Sequence, residues 1–168
     1  MATLREVADR VSSLEEAATV RRDASERGET VVLTNGCFDL LHSGHLHFLE
    51  SASSLGDHLW IALNGDASIR ALKGPSRPLQ TQLERAYALL SLKFVSGIFV
   101  FETERLAREI RFFKPDIYAK AGDYCLDTIN AEEKEALEEV AAEICFLPFL
   151  EGYGTTTLLE KIKSLPET

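Results

Sequence analysis

Two histidines, His42 and His45, stand three residues apart in the run Thr34 to Glu50, TNGCFDLLHSGHLHFLE. Ser43 and Gly44 lie where a helix would begin, because Leu46, Leu49, Ala52 and Leu55 then recur at helical spacing. That separation puts both imidazoles on one face of a first turn. A helix N-terminus carries unpaired N–H groups and partial positive charge, so it receives anions. Imidazoles aimed there suit phosphate, since they donate to oxygens whose charge is redistributed when phosphorus undergoes in-line displacement. Two bland readings compete. The pair could cap the helix, or ligate a metal, although zinc needs three or four ligands and only Cys37 lies nearby. His47 points elsewhere.

Further phosphate-holding residues fall in three places. Ala67 to Leu83 contains no acid but holds Arg70, Lys73 and Arg77, so it reads as a basic loop, with Arg85 just beyond it. Lys73, shaped by Gly74-Pro75, is the preferred phosphate ligand there. Asp123 follows Ala121-Gly122 at a strand's carboxyl end, placed for a ribose hydroxyl, a metal-bound phosphate or its own turn. Thr155 and Thr156 precede Leu158, Leu159 and Ile162, which makes them a helix cap and a second phosphate-binding N-terminus.

The elements that must position these residues alternate. Val31, Val32 and Leu33 form a buried strand, with Gly36 in the turn after it. His58 to Leu63, Gly97 to Phe101, Asp116 to Lys120 and Glu143 to Leu147 read as four more strands. Helices are expected from Leu4 to about Arg27, through Leu46 to Leu55, from Glu84 to Leu92, from Thr103 to Phe113, from Ala131 to Ala142 and after Thr155. The Glu-rich helix from Ala131 reads as a solvated face. Strand and helix in alternation predict a Rossmann-like, doubly wound five-stranded parallel sheet with helices on both faces. Ligands of such sheets sit beyond the carboxyl ends of the strands, where the strand order reverses. The loops Asn35 to His45, Asn64 to Lys73, Gly122 to Tyr124 and Gly152 to Thr156 all belong to that edge.

The 168 residues suit one domain, 1–168, with residues 1–28 as a helical segment packed on it. A composition 45% hydrophobic and 27% charged fits a soluble globular protein, and a net charge of -9 argues against broad binding to nucleic acid or anionic membrane. Cys37, Cys125 and Cys145 show neither a disulfide framework nor a zinc pattern, which fits a reducing compartment. No apolar run is long enough for a signal peptide or a membrane span, so a cytoplasmic protein is expected. The region of Tyr87, Leu89, Leu90, Phe94 and Phe99 is apolar enough for a partner or for core.

The run T-N-G-C-F-D-L-L-H-S-G-H resembles the HxGH signature of the cytidylyltransferase-like nucleotidyltransferases. The wider pattern, through N-G-D-A-S and L-K-G-P-S-R-P to K-A-G-D-Y and E-G-Y-G-T-T, is similar to the D-glycero-β-D-manno-heptose 1-phosphate adenylyltransferases. This resemblance implies attack by a sugar phosphate on the α-phosphorus of ATP, with Mg²⁺ carried on the triphosphate and no metal ligand from the chain. It implies His42, His45 and Lys73 as catalytic residues. Nucleotide would be held by Asn35, Gly36, Cys37, Phe38, Gly44, Gly122, Asp123, Gly154, Thr155 and Thr156, and acceptor by Asp39, Asn64, Asp66, Arg77 and Arg85. A homo-oligomer in a pathway to lipopolysaccharide or another surface glycan would follow. Two alternatives remain: a CTP-dependent enzyme acting on glycerol 3-phosphate or a similar alcohol phosphate, and a nucleotide-binding module without turnover. The last motif departs from the R-T-E-G-I-S-T-T of glycerol-3-phosphate cytidylyltransferases, with Phe149 at the arginine, Gly154 at the serine, and Tyr153 where heptose enzymes often carry a base. Arg70, Arg77 or Arg85 would then supply the missing charge.

Overall fold

The computed structural model describes residues 6, 9–122, 128–148, 150 and 152–165. Five strands, β1 (Val31–Gly36), β2 (His58–Asn64), β3 (Gly97–Phe101), β4 (Ile117–Ala121) and β5 (Glu143–Leu147), form one sheet. Every pairing is parallel and the order is β3-β2-β1-β4-β5. The chain winds outward from β1 through β2 to β3, then crosses back to β4 on the other side of β1. The order therefore reverses between β1 and β4, and the crevice lies at their carboxyl ends.

Period-two alternation assigns each strand residue to a face. Val31, Leu33, Trp60, Ala62, Phe99 and Tyr118 pack with helices α1 (Leu14–Glu26), α5 (Ala107–Phe113) and α6 (Ala131–Glu139). Val32, Leu59, Ile61, Leu63, Ile98 and Ala119 pack on the other face with α2 (Ser43–Ser53) and α4 (Gln82–Leu90). The remaining helices, α3 (Asp66–Lys73) and α7 (Thr155–Lys163), start at the carboxyl edge of the sheet. The sheet is thus doubly wound, as the alternation of elements predicts. Leu89, Leu90 and Phe99 are buried in this core, whereas Tyr87 is exposed.

Several boundaries differ from the sequence reading. The helix expected from Leu4 to about Arg27 is not continuous: Glu6 is helical, residues 9–13 are not, and α1 starts at Leu14, where Ser13 and Glu16 form a reciprocal capping box and the Ser12 N–H donates to the Ile98 carbonyl at 2.9 Å. That edge pairing holds the chain extended just before the helix; Leu4 and Val7 lie outside the described residues. Ala67 to Leu83 is not all loop, because Asp66–Lys73 is helical. Asp66 in its first turn and Arg70 and Lys73 in its last complement the helix dipole, a pattern hidden behind the glycine and prolines that follow. Thr103 does not start α5; its hydroxyl donates to the Arg105 carbonyl, and the helix begins at Ala107. The acidic run of α6 is not wholly solvated either. Glu133 is 7% exposed and accepts from the Leu106 N–H at 3.0 Å. Among the described residues no helix is long and apolar enough to cross a membrane.

Candidate active site

The loop between β1 and α2 is shaped by one aromatic ring. Phe38 sits at φ 46°, in the left-handed region that side chains seldom occupy, and its ring folds back over Gly36. A Cβ on Gly36 would lie 2.8 Å from that ring, so any side chain there would push the ring out of place. Phe38 then meets His45 edge-on, with ring centroids 5.3 Å apart. His45 stacks on His42 at 3.8 Å. Gly44 completes the arrangement, since a Cβ there would come within 3.1 Å of the His42 ring and 3.2 Å of the Tyr153 carbonyl. The glycine lets the last loop close against the first turn of α2.

His42 is the residue just before the helix rather than part of its first turn. Its Nδ1 accepts from the His45 backbone N–H at 3.4 Å, so a neutral His42 carries its proton on Nε2. Burial pushes its pKa down. His45 is pushed down to about 4, chiefly by burial and next by His42; the Leu40 backbone pulls the other way and Lys73 adds a further push down. His45 Nδ1 is buried without a well-formed hydrogen bond among the described residues. At neutral pH both rings are uncharged N–H donors.

The depressed His45 pKa bears on the stability of the ligand-free protein. Above pH 6.5 His45 is neutral folded and unfolded alike, whereas between 6.5 and about 4 only the unfolded chain takes up the proton. Stability therefore falls as pH drops through that window, by at most about 3 kcal/mol from this residue. Urea titrations from pH 7 to 4 should show a shallower loss in His45→Gln than in the wild type; parallel curves would refute the assignment.

His45 opens onto a cavity of about 920 Å³ at the β1–β4 edge. Of the residues singled out in the sequence, Asn35, Gly36, Cys37, Phe38, Asp39, Asn64, Lys73, Arg77, Thr155 and Thr156 also line it. His42 instead faces an adjoining cleft of about 270 Å³ with Gly154, Tyr153 and Lys161. Gly44 and Gly122 are not on the cavity wall, and Asp123, Phe149 and Glu151 lie outside the described residues.

Three expected acceptor ligands are framework. Arg85 is fully buried: Nη1 donates to the carbonyls of Cys37 at 2.7 Å and Asn64 at 2.8 Å, Nε to Gln80 at 3.1 Å, and Nη2 to Asp66 at 2.7 Å. Four of its five N–H donors are thus taken inside the fold, its side chain is fully buried, and Asp66 is its counter-ion. Asp39 is 4% exposed and accepts from Arg77 Nη1 at 2.6 Å and from the N–H groups of Leu79 and Gln80 at 2.7 and 3.1 Å. Burial raises the Asp39 pKa, but the Gln80 N–H, Arg77 and the Leu79 N–H outweigh it and hold the carboxyl below its usual range. Asp39 braces Arg77 against the cavity.

The cavity also has residues that the sequence did not single out: Glu104 and Arg105 after β3, Lys120 at the end of β4, Asn130 before α6, and Glu133. Of the arginines considered for the missing charge, only Arg77 reaches the wall, and Arg105 joins it. Uncharged His45 thus shares its wall with four basic residues, Lys73, Arg77, Arg105 and Lys120, and with the carboxylates of Asp39, Glu104 and Glu133. Among the described residues no cluster of three His, Cys, Asp or Glu side chains could cage a metal.

The cytidylyltransferase-like family model matches residues 33–158, from β1 into α7. The chain is 39% identical over 155 residues to the Bifunctional protein HldE of a Nitratiruptor species, covering 92% of this chain and 32% of that protein. It is 46% identical over 136 residues to the Bifunctional protein HldE of Helicobacter acinonychis (strain Sheeba), covering 80% of this chain and 28% of that one. It therefore spans about a third of the length of these curated relatives. Among solved structures, the lipopolysaccharide core biosynthesis protein from Thermoplasma volcanium GSS1 matches with TM-score 0.61 and 24% identity, over 76% of this chain and 100% of that one, which speaks for the fold alone. With the family model matching most of its length around the His42–His45 loop, this chain belongs to the cytidylyltransferase-like family.

Proposed function

We propose that this chain is a nucleotidyltransferase that moves AMP from ATP to the phosphate of D-glycero-β-D-manno-heptose 1-phosphate. An acceptor phosphate oxygen attacks the α-phosphorus, the bond from that phosphorus to the bridging oxygen breaks, and pyrophosphate leaves with the electron pair. The observation that carries this reading is the cavity itself: His45, Lys73 and Arg77 share its wall with Thr155 and Thr156 at the start of α7. Such a displacement asks a protein for positioning and for stabilisation of charge spread over equatorial oxygens. His45 donates to those oxygens, Lys73 and Arg77 hold phosphate, and the N-terminus of α7 receives the β- and γ-phosphates. Magnesium arrives as part of the Mg·ATP substrate.

The choice of ATP and of a heptose acceptor is supported by the resemblance of N-G-D-A-S, K-A-G-D-Y and E-G-Y-G-T-T to heptose 1-phosphate adenylyltransferases, and by the likeness to the HldE proteins over most of this chain. Pyrophosphate release with ATP and with CTP, each against heptose 1-phosphate and glycerol 3-phosphate with Mg²⁺, tests it. Release is expected with ATP and the heptose phosphate. Release with CTP alone would move the protein to the alcohol-phosphate branch, and silence in all four would refute the heptose assignment.

A further inference from the structure

At the reversal point the sheet is held by side chains instead of backbone. Pairing between β1 and β4 stops at Leu33↔Tyr118, although β1 runs on to Gly36 and β4 to Ala121. Beyond that point Thr34 Oγ1 donates to the Ala119 carbonyl at 2.9 Å. Asn35 Oδ1 then accepts two hydrogen bonds, from the Tyr118 hydroxyl at 2.8 Å and from Lys120 Nζ at 2.7 Å.

A lysine ammonium can only donate, so the Asn35 amide is fixed in one sense, with its oxygen on Lys120 and its NH₂ turned away. Asn35 and Lys120 both line the cavity. We propose that Lys120 and Tyr118 are positioning residues that hold Asn35 so that its amide NH₂ donates to a phosphate oxygen of the bound nucleotide. This rests on the nucleotidyl-transfer reading of the cavity. Asn35 immediately precedes the Gly36–Phe38 loop that sets His45, so its amide lies at the same rim as the phosphate-directed histidine. The ammonium drawn up to Oδ1 polarises the amide and makes its nitrogen a stronger donor, which favours an acceptor-only, anionic partner. Burial lowers the Lys120 pKa while Glu133 opposes that, so the carboxylate of α6 helps keep the lysine charged.

Asn35→Asp separates this role from a structural one. A carboxylate still accepts from Tyr118 and Lys120, so the fold and its melting temperature are retained, but the donor becomes an anion facing phosphate. Titration calorimetry with ATP and with inorganic tripolyphosphate should show both affinities falling at least about tenfold. Lys120→Met should weaken both ligands likewise, and Lys120→Arg should restore most of the loss. Loss of ATP affinity alone would mean that the amide reads base or ribose, and loss of neither would mean that it touches no nucleotide; either outcome overturns the proposal. Wild-type protein that binds neither ligand would overturn it together with the functional reading. Wild-type protein that binds tripolyphosphate through Asn35 yet releases no pyrophosphate would sink the transfer reading and leave this one standing.

Discussion

Replacing His45 with alanine is expected to lower the maximal rate of nucleotidyl transfer by about a hundredfold to a thousandfold, with the dissociation constant for ATP changed only a few-fold. The size follows from the loss of one preorganised donor at a site where charge develops in the transition state. The split follows from geometry. On the proposed reading, ground-state affinity is spread over Lys73, Arg77 and the N-terminus of α7, all on the same cavity wall, so one neutral imidazole adds little to it. His45 is half-buried and held by contacts with Phe38 and His42, and its removal leaves both β1 and the core of α2 in place. His42→Ala should behave differently. Its ring faces the adjoining cleft and caps α2, so its loss should destabilise the helix start as well as slow the reaction. Single-turnover rates alongside ATP titrations check both variants. A His45→Ala enzyme with an unchanged rate would remove the histidine from the chemistry.

How much of this was legible depends on how local the signal is. The β1–loop–α2 unit could be read because its determinants all lie between Val31 and Leu55: a β-branched run, a glycine turn and helical spacing after His45. Even the close packing at Gly36 is local, since the ring that a side chain there would displace belongs to Phe38. Lys120, Arg105 and Glu133 escaped because each looks ordinary in its own segment. A lysine closing a strand, an arginine in a turn and a glutamate in an acidic helix become site residues only when the strand order brings β4 beside β1. Asp39 and Arg77 were both seen, but not that each serves the other across the fold. Arg85 did leave a trace. It lies four residues before Leu89, on the buried face of α4 with Ala86, yet arginine reads as surface until its partners are known.

Those partners make Arg85→Met the second large effect, expected to cost about 3–5 kcal/mol of folding stability, the lower part of that range being favoured because Asp66 retains 26% exposure and can be rehydrated. The rest of the cost has no such relief. One guanidinium joins the loop after β1, the end of β2, the first turn of α3 and the turn before α4, through Cys37, Asn64, Asp66 and Gln80. Removing it strands the Asn64 contact, which is buried, and frees the Cys37 carbonyl that fixes the loop beneath His45. Arg85→Lys should recover little, because one ammonium cannot reproduce a planar fork spread over four directions. Urea unfolding at pH 7 is the measurement. Had Arg85 been an acceptor ligand, as the sequence suggested, its loss would raise KM for the sugar phosphate and leave the unfolding midpoint where it was. As a framework residue it should shift the midpoint first. Any fall in activity should then follow the folded fraction and the mobility of the Cys37–Asp39 loop, in step with temperature, and excess acceptor should not restore it.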